Sequence, residues 1–198
     1  SLTINGFFIL SGSIGGTGQK VLNSNAFLNI NSGTFGGSGD WILNNGSVIN
    51  FYGGGIDPGT TIYNHGTFTW QIGFLNEMGP FSCYYSTPPP AYFINEVDGV
   101  FNLNASTDVH IGRTNFTNHG IVNKNYSTEF SFHNACSGSP FENTSTATFN
   151  HNGGSIVFTS GTTILEGTVV VNGIMNVNSP LTTINGLITN NNVLNLNT

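Results

Sequence analysis

The segment SGSIGGTGQKVLNSNAFLNIN, Ser11 to Asn31, is followed without interruption by SGTFGGSGDWILNNGSVINFY, Ser32 to Tyr52. Tandem self-similarity at so short a period marks stacked supersecondary units, each burying its apolar face against the next. The copies share Gly at four places, and Leu22 matches Leu43, Asn23 matches Asn44 and Asn29 matches Asn50. Ile14/Phe35, Val21/Ile42, Phe27/Val48 and Ile30/Phe51 keep only their apolar character. Identity therefore belongs to the turns, and character to a core.

A shortened phrase, apolar residue, any residue, Asn, turn, alternating apolar positions, runs on to the end of the chain. It begins at Val21, Ile42, Ile62, Phe93, Phe116, Phe141, Val170 and Ile188, at spacings of 21, 20, 31, 23, 25, 29 and 18. Variation of that size reads as loop insertion on a constant coil. Stacked coils put like residues over like, about 4.8 Å apart. The repeated Asn then predicts a ladder of side-chain amides through Asn23, Asn44, Asn64, Asn95, Asn118, Asn143, Asn172 and Asn190, since Asn both donates and accepts and tolerates left-handed corners.

Only 6% of residues are charged, against about 25% in an average soluble domain. With 37% hydrophobic residues and sixteen Phe, the chain is too apolar for disorder. Alternation in Thr67-Phe68-Thr69-Trp70, Val100-Phe101-Asn102-Leu103, Ile174-Met175-Asn176-Val177 and Val193-Leu194-Asn195-Leu196 has the period of strands with one buried face. No helical periodicity survives the frequent Gly and Asn. A sandwich also has short strands, but its strands have dissimilar neighbours and gain nothing from a repeat. The expectation is an all-β, single-stranded parallel β-solenoid of about eight coils and roughly 40 Å, one domain over residues 1–198, with insertions near 72–92 and 132–141. Val48 and Phe101 are assigned inward, so a charge there should disrupt stacking, whereas Lys20→Ala should do little.

These repeats resemble the right-handed parallel β-helix, or β-solenoid, repeats of extracellular surface adhesins and fibril proteins. The resemblance implies the right hand and a structural, extracellular or cell-surface role. Cys83 and Cys136, the two cysteines, both fall in the insertions, and a disulfide between them is expected, implying an oxidising compartment. Asn-x-Ser/Thr sequons at Asn45, Asn104, Asn115, Asn125 and Asn143 are N-glycosylation candidates in a secreted eukaryotic chain. Asn143 conflicts with its inward place in the ladder. The start at Ser1 and the lack of an apolar leader or spanning run suggest a processed product or an excerpt. Thr3-Ile4-Asn5-Gly6 matches Thr183-Ile184-Asn185-Gly186, and neither end reads as a cap, which stacked repeats ordinarily need.

The leading functional expectation is a glycosylated extracellular solenoid that stacks head to tail on itself into a fibril, or forms the stalk of a surface protein. No enzymatic activity, cofactor or metal is expected. The alternative is a carbohydrate-binding or polysaccharide-cleaving β-helix. Cleavage needs converging carboxylates, and the best cluster is Glu96, Asp98, Asp108, His110 and Arg113. Sugar contact would use the loop residues Phe81, Tyr84, Tyr85 and Tyr92, stiffened by Pro88, Pro89 and Pro90. Thr17, Ser38 and Thr60 hint at a threonine ladder for ice that later coils do not continue. His65 and His119 share a turn slot about 10 Å apart, too far for one zinc. A net charge of −6 with three basic residues excludes a phosphate-binding surface for nucleic acid.

Overall fold

The computed structural model describes residues 1–71, 77–78, 89–112, 114–132, 140–159 and 161–197. Every strand pairing is parallel, and strands one coil apart in sequence lie side by side. Two sheets are nine strands deep and a third is six deep. The chain visits them in turn, as in Ala91–Asn95, Val100–Leu103 and Val109–Ile111, and then rises to the next coil at Thr114–Asn118. It is a parallel β-solenoid of about eight coils with no helix among the described residues.

Alternate residues of each strand point inward, and their columns make one continuous core. Leu28, Ile49, Phe68, Phe101, Val122, Phe149 and Val169 follow one another down the second sheet. Each is fully buried. Opposite them Phe93 and Phe116 stack at 5.1 Å, and Phe132 and Phe158 from the third sheet at 4.9 Å. Parallel in-register strands place each ring over the next, so aromatic identity needs only one choice per coil.

The asparagine ladder is real but shorter than the sequence suggests. Asn64 donates to Asn95 at 2.7 Å, Asn95 to Asn118 at 2.8 Å and Asn118 to Asn143 at 2.7 Å, all in the buried core. The register places Leu43, not Asn44, beside Asn64, and Leu165 beside Asn143. Asn23 and Asn44 belong to an outer corner column, where Asn44 donates to Asn23. Asn172 stands at the corner beyond the second sheet, its backbone N–H donating to the His151 carbonyl, and Asn190 pairs with Val171. Two causes act: a one-residue slip turns an inward side chain outward, and VLN in the first coils differs from IYN in the third by that slip, whereas Asn172 and Asn190 belong to phrases that fall on the second sheet rather than the first. The same slip corrects Val48, which is half-buried and outward while Ile49 is buried. Phe101 is inward as expected.

A ladder of donors all pointing one way must end in one orphan acceptor and one orphan donor. Asn64 Oδ1 and Asn143 Nδ2 are those atoms, each buried without a partner. Leaving such a group unpaired costs about 1–3 kcal/mol.

In the first coils the third side is mostly turn, with a parallel bridge from Ile14 to Phe35 and the pairing of Thr34–Phe35 with Gly55–Ile56. Gly54 explains why glycine is required there: its φ is +131°, and a Cβ would lie 1.6 Å from the Gly33 carbonyl oxygen. The insertions are also narrower than expected. Tyr92 lies in the strand Ala91–Asn95, Phe132 ends Glu129–Phe132 and Phe141 begins Phe141–Asn143. Cys83 and Cys136, and with them the expected disulfide, lie outside the described residues.

Candidate functional site: the open ends of the solenoid

At each end the inward columns stop at solvent. The strand Phe7–Leu10 pairs on one side, with Phe27–Ile30, and forms the first layer of the stack in this stretch of chain. Phe7 is 65%, Phe8 55% and Ile9 57% exposed. Phe8 occupies the inward column, next to buried Leu28. At the far end Leu181–Ile184, Leu187–Asn190 and Val193–Leu196 also have one neighbour each, and Leu181, Leu187 and Leu196 are exposed. Bare parallel strand edges are templates for further pairing.

The two ends match column by column. Following each inward column through the stack, Ile4 and Ile184 share one, and Phe8 and Ile188 share another. Asn5 and Asn185 then fall in the outer corner column, where Asn23 already donates to Asn5 at 2.5 Å.

Two lysines inside the stack are as unusual as its ends. Lys20 is 2% exposed, and its ammonium donates to the carbonyls of Gly16, Gly36 and Gly39 at 2.7, 3.1 and 3.3 Å. Lys124 does the same for Tyr126, Thr128 and Gly153 at 2.6, 2.7 and 2.7 Å. The expectation that Lys20 is dispensable is therefore corrected. The clue lay in the tandem copies, where Lys20 aligns with Trp41 and shares its inward column. Burial pulls the Lys124 amine down to about 8, partly opposed by the charge of Asp108.

His151 sits in the column directly after Lys124, with Val171 on its other side. Its Nε2 lies 3.0 Å from the Gly153 carbonyl, and its Nδ1 is buried without a partner. Burial first, then the neighbouring Lys124 charge, lowers its pKa to about 4. Between about pH 6.5 and 4 the unfolded histidine takes up a proton that the folded one refuses, so stability must fall with acidification through that window. The full loss is about 3 kcal/mol. Urea midpoints of the unaltered chain and of His151→Leu check this: the difference between pH 7 and pH 4.5 should shrink markedly in the variant.

The carboxylate cluster does not assemble at one place. Glu96 and Asp98 occupy the corner between the first and second sheets, whereas Asp108 precedes the third sheet and His110 lies in it. Asp98 Oδ1 lies 2.9 Å from His65 Nδ1, and its other oxygen accepts from Asn45 at 3.2 Å. Asp108 accepts from the Glu129 backbone N–H at 2.9 Å, and His110 meets the Ser131 hydroxyl. Arg113 lies outside the described residues, as do Phe81, Tyr84 and Tyr85 of the sugar-contact loop. Tyr92 is exposed on its strand. His65 and His119 are in one corner column with Glu96 between them, and no group of three or more His, Cys, Asp or Glu suited to a metal occurs among the described residues. Thr60 is buried and donates to the Gly37 carbonyl, so it is not on a face with exposed Thr17 and Ser38.

Asn45 and Asn125 are exposed and Asn104 and Asn115 half-buried. Asn143 is 0% exposed, which resolves its conflict in favour of the ladder: the folded chain offers no room for a glycan there. No helix among the described residues is long and apolar enough to cross a membrane. No protein-family model matches the chain, no curated protein matches it, and no solved structure matches its fold.

Proposed function

We propose that this chain is a structural element of an extracellular or cell-surface assembly, a stiff rod extended by coil-on-coil pairing with a second copy of itself. The observation that carries the reading is the column-by-column match between the first and last coils. Setting the first coil on the last places Ile4 over Ile184, Asn5 over Asn185, Gly6 over Gly186 and Phe8 over Ile188, like on like as within the stack. Such a contact joins two different surfaces and does not close, so it generates filaments. Few charges oppose the approach, since only 6% of residues carry one. The same register serves a following coil of a longer chain, which makes a stalk. Asn45, Asn104, Asn115 and Asn125 are the sequons that an extracellular setting would glycosylate.

Electron microscopy and sedimentation of the purified chain test the proposal. The expected result is filaments with an axial repeat of roughly 40 Å, nine strand layers at about 4.8 Å. Phe8→Asp, at a position more than half exposed in the single chain, should abolish them while leaving the melting temperature nearly unchanged. Discrete monomers of the unaltered chain at high concentration would overturn the reading.

A further inference from the structure

Three consecutive coils carry the tripeptide Asn-x-Asn on the second sheet: Asn102-Leu103-Asn104, Asn123-Lys124-Asn125 and Asn150-His151-Asn152. The central residue of each is buried and points inward, so the two asparagines flank it on the outer side. The result is an array of amides two wide and three deep. Asn123 donates to Asn102 at 3.0 Å and Asn150 to Asn123 at 2.9 Å. In the next column Asn125 donates to Asn104 at 2.8 Å and Asn152 to Asn125 at 2.9 Å.

Each of these bonds uses one of the two N–H groups of the donor and one lone pair of the acceptor. What remains is a second N–H and a second lone pair per side chain, available to a ligand. The rungs repeat about every 4.8 Å along the axis, and the columns stand about 7 Å apart. Because the axial bonds already fix the rotamers, a ligand would lose little side-chain freedom in engaging them.

The chemistry of the face selects the ligand. All nine acidic residues lie on the first or third sheet or at corners, and Lys124 is turned inward. Among the described residues the face thus has no cation for a phosphate and no carboxylate for a metal. Beside the amides Val100, Ile121 and Thr148 form a low column two residues back along the strands, suited to the C–H faces of sugar rings. It lacks the broad apolar centre of a protein–protein interface.

We propose that this array docks a neutral polysaccharide laid along the solenoid axis, its hydroxyls meeting the spare amide donors and acceptors. The array uses none of Phe81, Tyr84 and Tyr85, and it is independent of axial assembly. Asn104 and Asn125 are sequons within the array, so a glycan on either covers it.

The test uses the full chain made without N-glycans, sedimented with microcrystalline cellulose or chitin and run through gels holding hydroxyethyl cellulose or laminarin. The unaltered chain should be retained by at least one of these polymers. Asn123→Ala with Asn125→Ala should weaken retention about tenfold or more. Asn176→Ala with Asn195→Ala, which removes an equivalent rung at 2.8 Å on the third sheet, should leave it unchanged. If the array variant fails to fold, Ile121→Arg, at an exposed position on the same face, blocks docking without touching the ladders. Absence of retention on all four polymers overturns the proposal, as does retention unaffected by the array variant or by Ile121→Arg. Ice shaping and thermal hysteresis without retention would overturn it in favour of a frozen-water lattice.

Discussion

Phe101→Asp is expected to abolish cooperative melting of the central coils, while Val48→Asp leaves the chain folded. Phe101 is fully buried and touches three rings: Phe68 at 5.4 Å, Phe93 at 4.9 Å and Phe116 at 5.1 Å. Truncating such a phenylalanine costs about 3–5 kcal/mol. Burying a carboxyl in its place adds several more, whether the group ionises or takes up a proton. Together these reach the whole stability of a typical domain, about 5–15 kcal/mol. A stack of coils is quasi-one-dimensional, so the damage should separate it into two weaker halves rather than spread evenly. Val48 lies two coils away on the same sheet but on its outer side, where a charge changes stability by about 0.5 kcal/mol. Circular dichroism melts with hydrogen exchange decide the matter. Equal melting of the two variants would mean that the register described above is wrong.

Lys124→Met should lower stability by about 3 kcal/mol and the melting temperature by roughly 10 °C. Its ammonium makes three short bonds to backbone carbonyls. Hydrogen bonds from a charged donor each contribute about 1.5–3 kcal/mol net. Against this stands the burial that lowers its pKa from 10.5 to about 8, an offset of about 3 kcal/mol. The bonds win because three carbonyls at one corner share one donor, and a thioether supplies none. The sign of the pKa shift gives a second readout. Raising the pH from 8 toward 10.5 relieves the unaltered chain of part of that burial penalty, and Lys124→Met should lose this pH dependence. A variant as stable as the parent at pH 7 would show that water replaces the ammonium without loss.

The strand periodicity, the repeat and the coil number were all legible in the chain, because each depends on local alternation and on like residues recurring at a regular interval. The likeness of the first and last coils was legible too, since the match of Thr3-Ile4-Asn5-Gly6 with Thr183-Ile184-Asn185-Gly186 is a property of the letters. Inside and outside were harder to tell apart. A strand reverses face with every residue, and Asn at a corner looks the same as Asn in the core until the neighbour across the sheet is known. Hence Asn23 and Asn44 were grouped with Asn64, and Val48 was exchanged with Ile49. Lys20 reads as dispensable in the sequence because charge is normally solvent-facing, and nothing local to Lys124 marks it as internal. Only stacking, which brings Gly16, Gly36 and Gly39 around one ammonium and Tyr126, Thr128 and Gly153 around the other, makes their burial favourable.

By itself, then, the sequence determined that this chain winds into a parallel β-solenoid, because period and repeat act through neighbours in the chain and through identity one coil away. The tertiary structure alone decided which amides form the buried ladder, which form the outer array on the second sheet, and which lysines are internal. Those outcomes depend on register between coils, and register is set by the summed packing of whole columns rather than by any one phrase.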